Sequence, residues 1–360
     1  MTMAHAGSPE LEAPRPAHRF DEARVRDWLG EALGTDPGPL YVQQFEGGMS
    51  NPTFLLTTSA GKRYVLRKKP PGELLPRAHA VDREYRIINA LQETPVPVPG
   101  TVAFCDDTSV IGVDFFLMDF VEGRVIADPA MEPVPLAERR PLAFALVDTL
   151  AELHKVDYEA VGLGDFGRPE GFMARQVKRW KGQYETARSA LPASLDHSDM
   201  DWLAAWLAEQ NGIADEATIV HGDFRLGNVI IDRHEPRPLA VLDWELSTIG
   251  HPLSDLAYLM LPYHLPHMQD PSTNGAPTQD EMLARYVASS GRSGLENWPV
   301  FLAFACFRYA AIVHGVAARA AKGNVSSARA DPIRDAQRAM TVARIGRDIA
   351  LDADGDTRLS

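Results

Sequence analysis

Apolar positions recur along this chain in two different rhythms. In the first third they come in short runs rich in β-branched and aromatic residues, at 40–45, 53–58 and 63–67. Polar or glycine-containing stretches at 46–51 and 59–62 separate them, so three strands are predicted. Two more strands are predicted over 101–105 and 114–120. Val25, Trp28, Leu29 and Leu33 keep helical spacing and predict a helix over about 21–33; a second is predicted over 79–91, closed by Pro95, Pro97 and Pro99. From about residue 125 the rhythm is helical, with helices predicted near 137–157, 171–190, 198–211, 253–262, 278–290, 297–322 and 331–350. One hairpin interrupts them: Val229-Ile230-Ile231 and Leu239-Ala240-Val241-Leu242, joined by the polar stretch from Asp232 to Pro236.

This pattern predicts an α+β chain of two lobes. A lead-in at 1–20, rich in Ala, Pro and Gly, reads as mobile. An antiparallel-sheet lobe with one helix among its strands covers 21–121, a mostly helical lobe 122–350, and a polar tail 351–360. A length of 360 residues suits two such bodies better than one minimal core.

Composition narrows the class of function. A formal net charge of −13 argues against nucleic acid as a partner. Two cysteines far apart, Cys105 and Cys306, do not form a disulfide framework. No uninterrupted apolar run reaches the ~18 residues of a membrane span, and the first residues lack a secretory apolar core. The expectation is a cytoplasmic enzyme with no membrane partner, its oligomeric state left open.

Candidate chemistry concentrates at His221-Gly222-Asp223-Phe224-Arg225-Leu226-Gly227-Asn228, followed by Leu242-Asp243-Trp244-Glu245. Asp223 leaves a predicted strand on a glycine turn, where a carboxylate can accept a hydrogen bond from a substrate hydroxyl and take its proton. Asn228 opens the hairpin and Asp243 closes it, which brings an amide oxygen and a carboxylate to one end. Oxygen donors of this kind suit a hard cation. These are the parts that phosphoryl transfer from ATP requires.

The HGDFRLGN and LDWE stretches resemble the aminoglycoside phosphotransferase and choline kinase group of the protein-kinase-like fold. Through LDWELSTIGHPLSDLAYLM the resemblance extends to phosphotransferases related to the kinase-like domains of certain acyl-CoA dehydrogenases, over about residues 25–350. It implies that Asp223 is the catalytic Asp and that Asn228 and Asp243 hold Mg²⁺. It also implies that Asp255 braces the catalytic loop, where the residues alone equally allow a simple N-cap of the following helix, and His221 is read as bracing the same loop by hydrogen bonding. Gly222 stands where protein kinases carry Arg, which marks a kinase of small molecules. A cation ending the strand Tyr64-Val65-Leu66 is expected to contact ATP phosphates and to pair with a helix Glu. Arg67 and Glu84 are the best pair, with Lys68 and Lys69 as alternates to Arg67.

Gly47, Gly48 and Ser50 join two predicted strands and can bring backbone N–H groups and a hydroxyl to phosphates. Met118, Asp119 and Val121 resemble an inter-lobe hinge, where Asp119 C=O and Val121 N–H could meet an adenine ring with Met118 behind it. On the acceptor side, Arg175, Arg179 and Trp180 share a predicted helix, and the two cations point to an anionic or mixed small-molecule hydroxyl substrate. The expected activity is ATP- and Mg²⁺-dependent phosphorylation of such a hydroxyl, possible acceptors including a hydroxyacyl-CoA or related acid. The competing readings are an aminoglycoside antibiotic kinase and a nucleotide-binding module without catalysis.

Overall fold

The computed structural model describes residues 11–46, 51–70, 80–210, 212–323 and 331–357, and the chain divides into two compact units. One takes the chain up to Ala127 together with Glu159–Leu163 and Leu226–Ser247; the other takes Asp128–Tyr158, Gly164–Arg225 and the chain from Thr248 onward. The central hairpin thus groups with the N-terminal sheet rather than with the helices that flank it in sequence.

The first unit is built on a six-stranded sheet. Its strands are β1 (Leu11–Glu12), β2 (Leu40–Phe45), β3 (Thr53–Thr58), β4 (Arg63–Lys68), β5 (Thr101–Cys105) and β6 (Phe115–Asp119), in the order β1-β2-β3-β4-β6-β5. Every neighbouring pair is antiparallel. Helices α1 (Glu22–Leu33), α2 (Val81–Ala90) and the single turn α3 (Thr108–Ile111) complete it. Asp21 caps α1 by accepting from the Ala23 and Arg24 N–H groups, and Gly34, at φ 66°, ends it. Val25 and Leu29 of α1 pack on Phe54, Leu56, Tyr64, Leu66, Phe115 and Leu117 from one face of the sheet. Alternation along β4 then sends Val65 and Arg67 to the opposite face. Composition does not announce β1: Leu11 pairs with Phe45, and the Arg15 N–H donates to Gln44 Oε1 at 2.9 Å, giving the edge of β2 its partners.

A second, three-stranded sheet in this unit joins β7 (Arg124–Val125) to the hairpin strands Val229–Ile231 and Pro238–Val241. Gly123 permits the approach: a Cβ there would lie 2.5 Å from the Ile231 carbonyl oxygen.

The second unit holds α4 (Leu136–Lys155), α5 (Phe172–Arg188), α6 (Ser198–Ala208), α7 (Leu253–Leu259), α8 (Gln279–Ser290), α9 (Trp298–Ala321) and α10 (Pro332–Thr357). A short antiparallel pair, Thr218–Val220 with Thr248–Gly250, carries the chain into and out of the hairpin. By length and composition α9 could cross a membrane, but it is mostly buried and packs on α5, α6, α7 and α10. It is the core helix of its unit. The tail read as polar extends α10 as far as Thr357.

Candidate active site

In the first unit, a stripe of α2 residues, Val81, Glu84, Ile87 and Ile88, is buried at helical spacing. It carries the Glu84 carboxylate to within 2.7 Å of Arg67 Nε. Nη2 of the same guanidinium donates to Asp243 Oδ1 at 2.8 Å, and Glu245 Oε2 stands 3.8 Å from it. One cation therefore faces three carboxylates. Burial works against the Arg67 charge, but Glu84, Asp243 and Glu245 outweigh it and hold the guanidinium more firmly protonated than usual. Burial pushes the Glu84 carboxyl up to about 7, against the pull of Arg67, and Asp243 and Glu245 add to the rise.

The alternates lie elsewhere. Lys68 is buried on the core face of β4 over the Phe20 ring, and burial lowers its pKa. Lys69 pairs with Asp114.

The hairpin fixes the relation of Asn228 to Asp243. Val241 pairs with Val229, and the Leu242 N–H donates to the Asn228 carbonyl at 2.8 Å, so both residues stand at one end of the ladder. Asp243 adopts a left-handed backbone, φ 67° and ψ 58°, which turns the chain sharply into the Trp244–Leu246 turn. Trp244 is buried and its indole N–H donates to the Val241 carbonyl at 3.0 Å, anchoring that turn. The oxygen donors of Asn228 and Asp243, beside a cluster richer in carboxylates than in cations, fit Mg²⁺. Among the described residues no cluster of three or more His, Cys, Asp or Glu suits a metal by itself.

Arg67, Glu84 and Asp243 border a cavity of about 180 Å³ whose walls include Val65, Met118, Ile230 and Leu242. Asp119, Phe120 and Val121 border it too. The Asp119 N–H is tied to the Gly100 carbonyl at 2.7 Å and the Phe120 N–H to Arg63 at 3.4 Å. An apolar cavity bordered by a cation–carboxylate cluster can accept a nucleotide base and phosphates. Gly47, Gly48 and Ser50 lie outside the described residues.

In the second unit, the chain turns at Gly222, φ 84°. The buried Asp255 carboxylate accepts the His221 N–H at 2.6 Å and the Gly222 N–H at 2.9 Å. Asp255 sits in the first turn of α7 without capping it, so its reading as a mere N-cap does not hold. Burial raises its pKa, but His154, His221 and the Gly222 N–H more than offset this and hold it below the usual range. The Asp223 N–H donates to His221 Nδ1 at 3.1 Å, which places the proton of a neutral His221 ring on Nε2. Arg225 Nε lies 3.4 Å from Asp223 Oδ2.

On the expected acceptor side, the Arg175 guanidinium turns back onto the carbonyls of Arg168 and Glu170, where it closes the loop ahead of α5. Trp180 is buried, with Arg179 over its ring at 5.3 Å. Burial and the charge of Arg308 lower the Arg179 pKa. Sequence reasoning missed Glu245 as a member of the Arg67 cluster. It also missed His154, whose Nε2 lies 3.6 Å from Asp255 and whose Nδ1 meets the Tyr286 hydroxyl at 2.6 Å. A histidine at the end of a largely apolar helix was the only available signal.

Against solved structures, the fold is that of the protein-kinase-like phosphotransferases. A provisionally assigned aminoglycoside phosphotransferase from Ralstonia eutropha superposes with a TM-score of 0.81 at 38% identity, covering 93% of this chain and 99% of that one. Choline kinase from Cryptosporidium parvum shares the fold at a TM-score of 0.61 and 10% identity, covering 88% of this chain and 91% of that one. The model of the phosphotransferase enzyme family matches residues 42–302, and the chain belongs to that family. Membership supports small-molecule kinase activity. Acyl-CoA dehydrogenase family member 11 of Pongo abelii is 41% identical over 335 residues, 89% of this chain and 42% of the relative. Family member 10 of Mus musculus is 39% identical over 337 residues, 91% of this chain and 31% of the relative. The chain spans less than half the length of either.

Proposed function

We propose that this chain is an ATP- and Mg²⁺-dependent kinase that phosphorylates a hydroxyl of a small molecule by direct transfer. The observation that carries the reading is the Arg67–Glu84–Asp243 cluster at the border of an apolar cavity. Arg67 holds the nucleotide's phosphates, and Glu84 orients Arg67. Asn228 and Asp243 hold Mg²⁺, which when bound neutralises charge developing on the transferred phosphoryl group. Asp223, on a loop whose backbone Asp255 and His221 fix, accepts the acceptor's hydrogen bond and takes its proton.

For the acceptor we propose a hydroxylated acyl-CoA or a related acid. The names of the relatives and the cation Arg179 support this choice. An aminoglycoside acceptor is the alternative, favoured by the name of the Ralstonia eutropha structure. Thermal denaturation with ATP, with and without Mg²⁺, tests nucleotide binding; no stabilisation by either would overturn the reading. Labelled ATP with a metabolite extract, followed by mass analysis of the labelled product, identifies the acceptor. Phosphorylation of an aminoglycoside panel and of no acid would decide for the alternative. Stabilisation by MgATP without transfer to any acceptor or to water would leave a binding module.

A further inference from the structure

The loop that presents Asp223 is held from two sides. Asp255 binds the His221 and Gly222 N–H groups, and His221 binds the Asp223 N–H. From the other side, the Gly222 carbonyl accepts a hydrogen bond from the guanidinium of Arg308, on α9. Gly222 and Asp223 share the peptide group to which this carbonyl belongs, so whatever holds the oxygen also holds the Asp223 backbone. The positive φ of Gly222 sets the peptide's direction.

Arg308 is an unusual residue to find there. It is 5% exposed, in a helix whose other buried positions are almost all apolar. No carboxylate among the described residues forms an ion pair with it. Its guanidinium lies over the Tyr258 ring at 4.6 Å and the Trp180 ring at 5.2 Å. Aromatic faces attract a cation and hold it flat, but they replace lost hydration only in part. A methionine would fill the space without that penalty. The guanidinium supplies what methionine lacks, a directed donor for the Gly222 carbonyl. The Tyr258 hydroxyl feels the charges of both Asp223 and Arg308.

We infer that Arg308 is a positioning residue: through the Gly222 carbonyl it fixes the direction in which Asp223 meets the acceptor hydroxyl. This rests on the proposed role of Asp223. Trp180 and Tyr258 then serve as the seat of Arg308 rather than as acceptor contacts.

The test uses the full chain with Arg308→Ala and Arg308→Lys. Amide hydrogen exchange over residues 218–226 reads the loop without any substrate. Hydrolysis of MgATP, with water as acceptor, reads catalysis. Arg308→Ala should lower kcat about 10- to 100-fold, the scale of a misplaced catalytic group. KM for MgATP should stay within about twofold, and exchange should rise over 218–226 more than elsewhere in the helical unit. Methylguanidinium should restore part of both losses, and Arg308→Lys, which keeps a charged donor, should fall in between. Unchanged exchange over 218–226, or a uniform rise across the unit in both variants, would overturn the inference. So would a raised KM with unchanged kcat. If the wild-type chain hydrolyses no ATP but Arg308→Ala still loosens 218–226 selectively, the hold on the loop stands and the kinase reading fails.

Discussion

Arg67 touches two carboxylates through neighbouring nitrogens: Nε lies 2.7 Å from Glu84 and Nη2 lies 2.8 Å from Asp243. A lysine offers one nitrogen and no planar fork, so it cannot make both contacts in this geometry. The guanidinium therefore ties α2 to the hairpin end.

Removing that tie should destabilise the first unit. Arg67→Met leaves Glu84 buried without its cation, a change that typically costs about 3–5 kcal/mol. Protonation of Glu84, already poised at about 7, should bring the loss to the lower end. Arg67→Lys should cost less, because one carboxylate keeps its partner. Chemical denaturation of the three proteins at pH 7 gives the order; a Met variant as stable as wild type would contradict the buried-pair account.

Asp223 and Asp243 should separate by readout. Asp223→Asn is expected to lower transfer about 10²- to 10⁴-fold, the range of general acid–base loss, with MgATP stabilisation retained. Asp243→Ala should abolish the Mg²⁺-dependent part of that stabilisation. It also puts alanine at φ 67°, whereas Asp243→Asn suits the left-handed backbone better. The Asn variant should therefore melt higher than the Ala variant while both lose Mg²⁺ dependence.

Gly123→Ala would force a methyl to within 2.5 Å of the Ile231 carbonyl oxygen, a backbone atom that cannot rotate aside. We expect a loss of about 1–3 kcal/mol from overpacking. The three-stranded sheet should be the place affected, read as faster amide exchange at Val229–Ile231 than in β3 or β4.

The second unit should lose stability in mild acid. His314 Nε2 faces His197 Nε2 at 3.2 Å, and His197 Nδ1 donates to the Leu195 carbonyl at 2.8 Å. With both rings neutral, His314 is therefore the Nε2–H donor of the pair. The Tyr184 ring packs beside both. Burial first, then the charges of His197 and Arg188, lower the His314 pKa to about 4. The ordinary value is 6.5, so the unfolded chain binds the proton first as pH falls. The stabilising contribution is full above about pH 6.5 and is lost progressively towards pH 4, up to about 3 kcal/mol. His314→Gln should show a flatter stability profile over that window. An equally steep profile would assign the acid sensitivity to other groups.

Strand alternation and helical stripes carried much of this architecture into plain view. Burying Leu66 forces Arg67 to the other face of β4, and the spacing of Val81, Glu84 and Ile88 forces Glu84 inward. Both follow from periods of two and of 3.6 residues. What stayed hidden depends on side chains that reach across many residues. Arg175 has the spacing of a surface cation, yet it bends back onto two carbonyls of its own loop. Arg308 lies in a run so apolar that its neighbours read simply as core, and its partner stands 86 residues away. The β1 strand was invisible because two residues carry no periodicity; only the open edge of β2 calls for them.

The first unit closes only with residues drawn from three separate stretches of chain, the last ending at Ser247. During synthesis it can form its large sheet early, but β7 must wait for its partner strand and Arg67 for its second carboxylate. A fragment cut at Ala127 would keep the Glu84 pair and lack Asp243, Glu245 and the hairpin. Nucleotide binding should accordingly appear late in folding, after more than half of the chain is made, and should not survive excision of the N-terminal sheet.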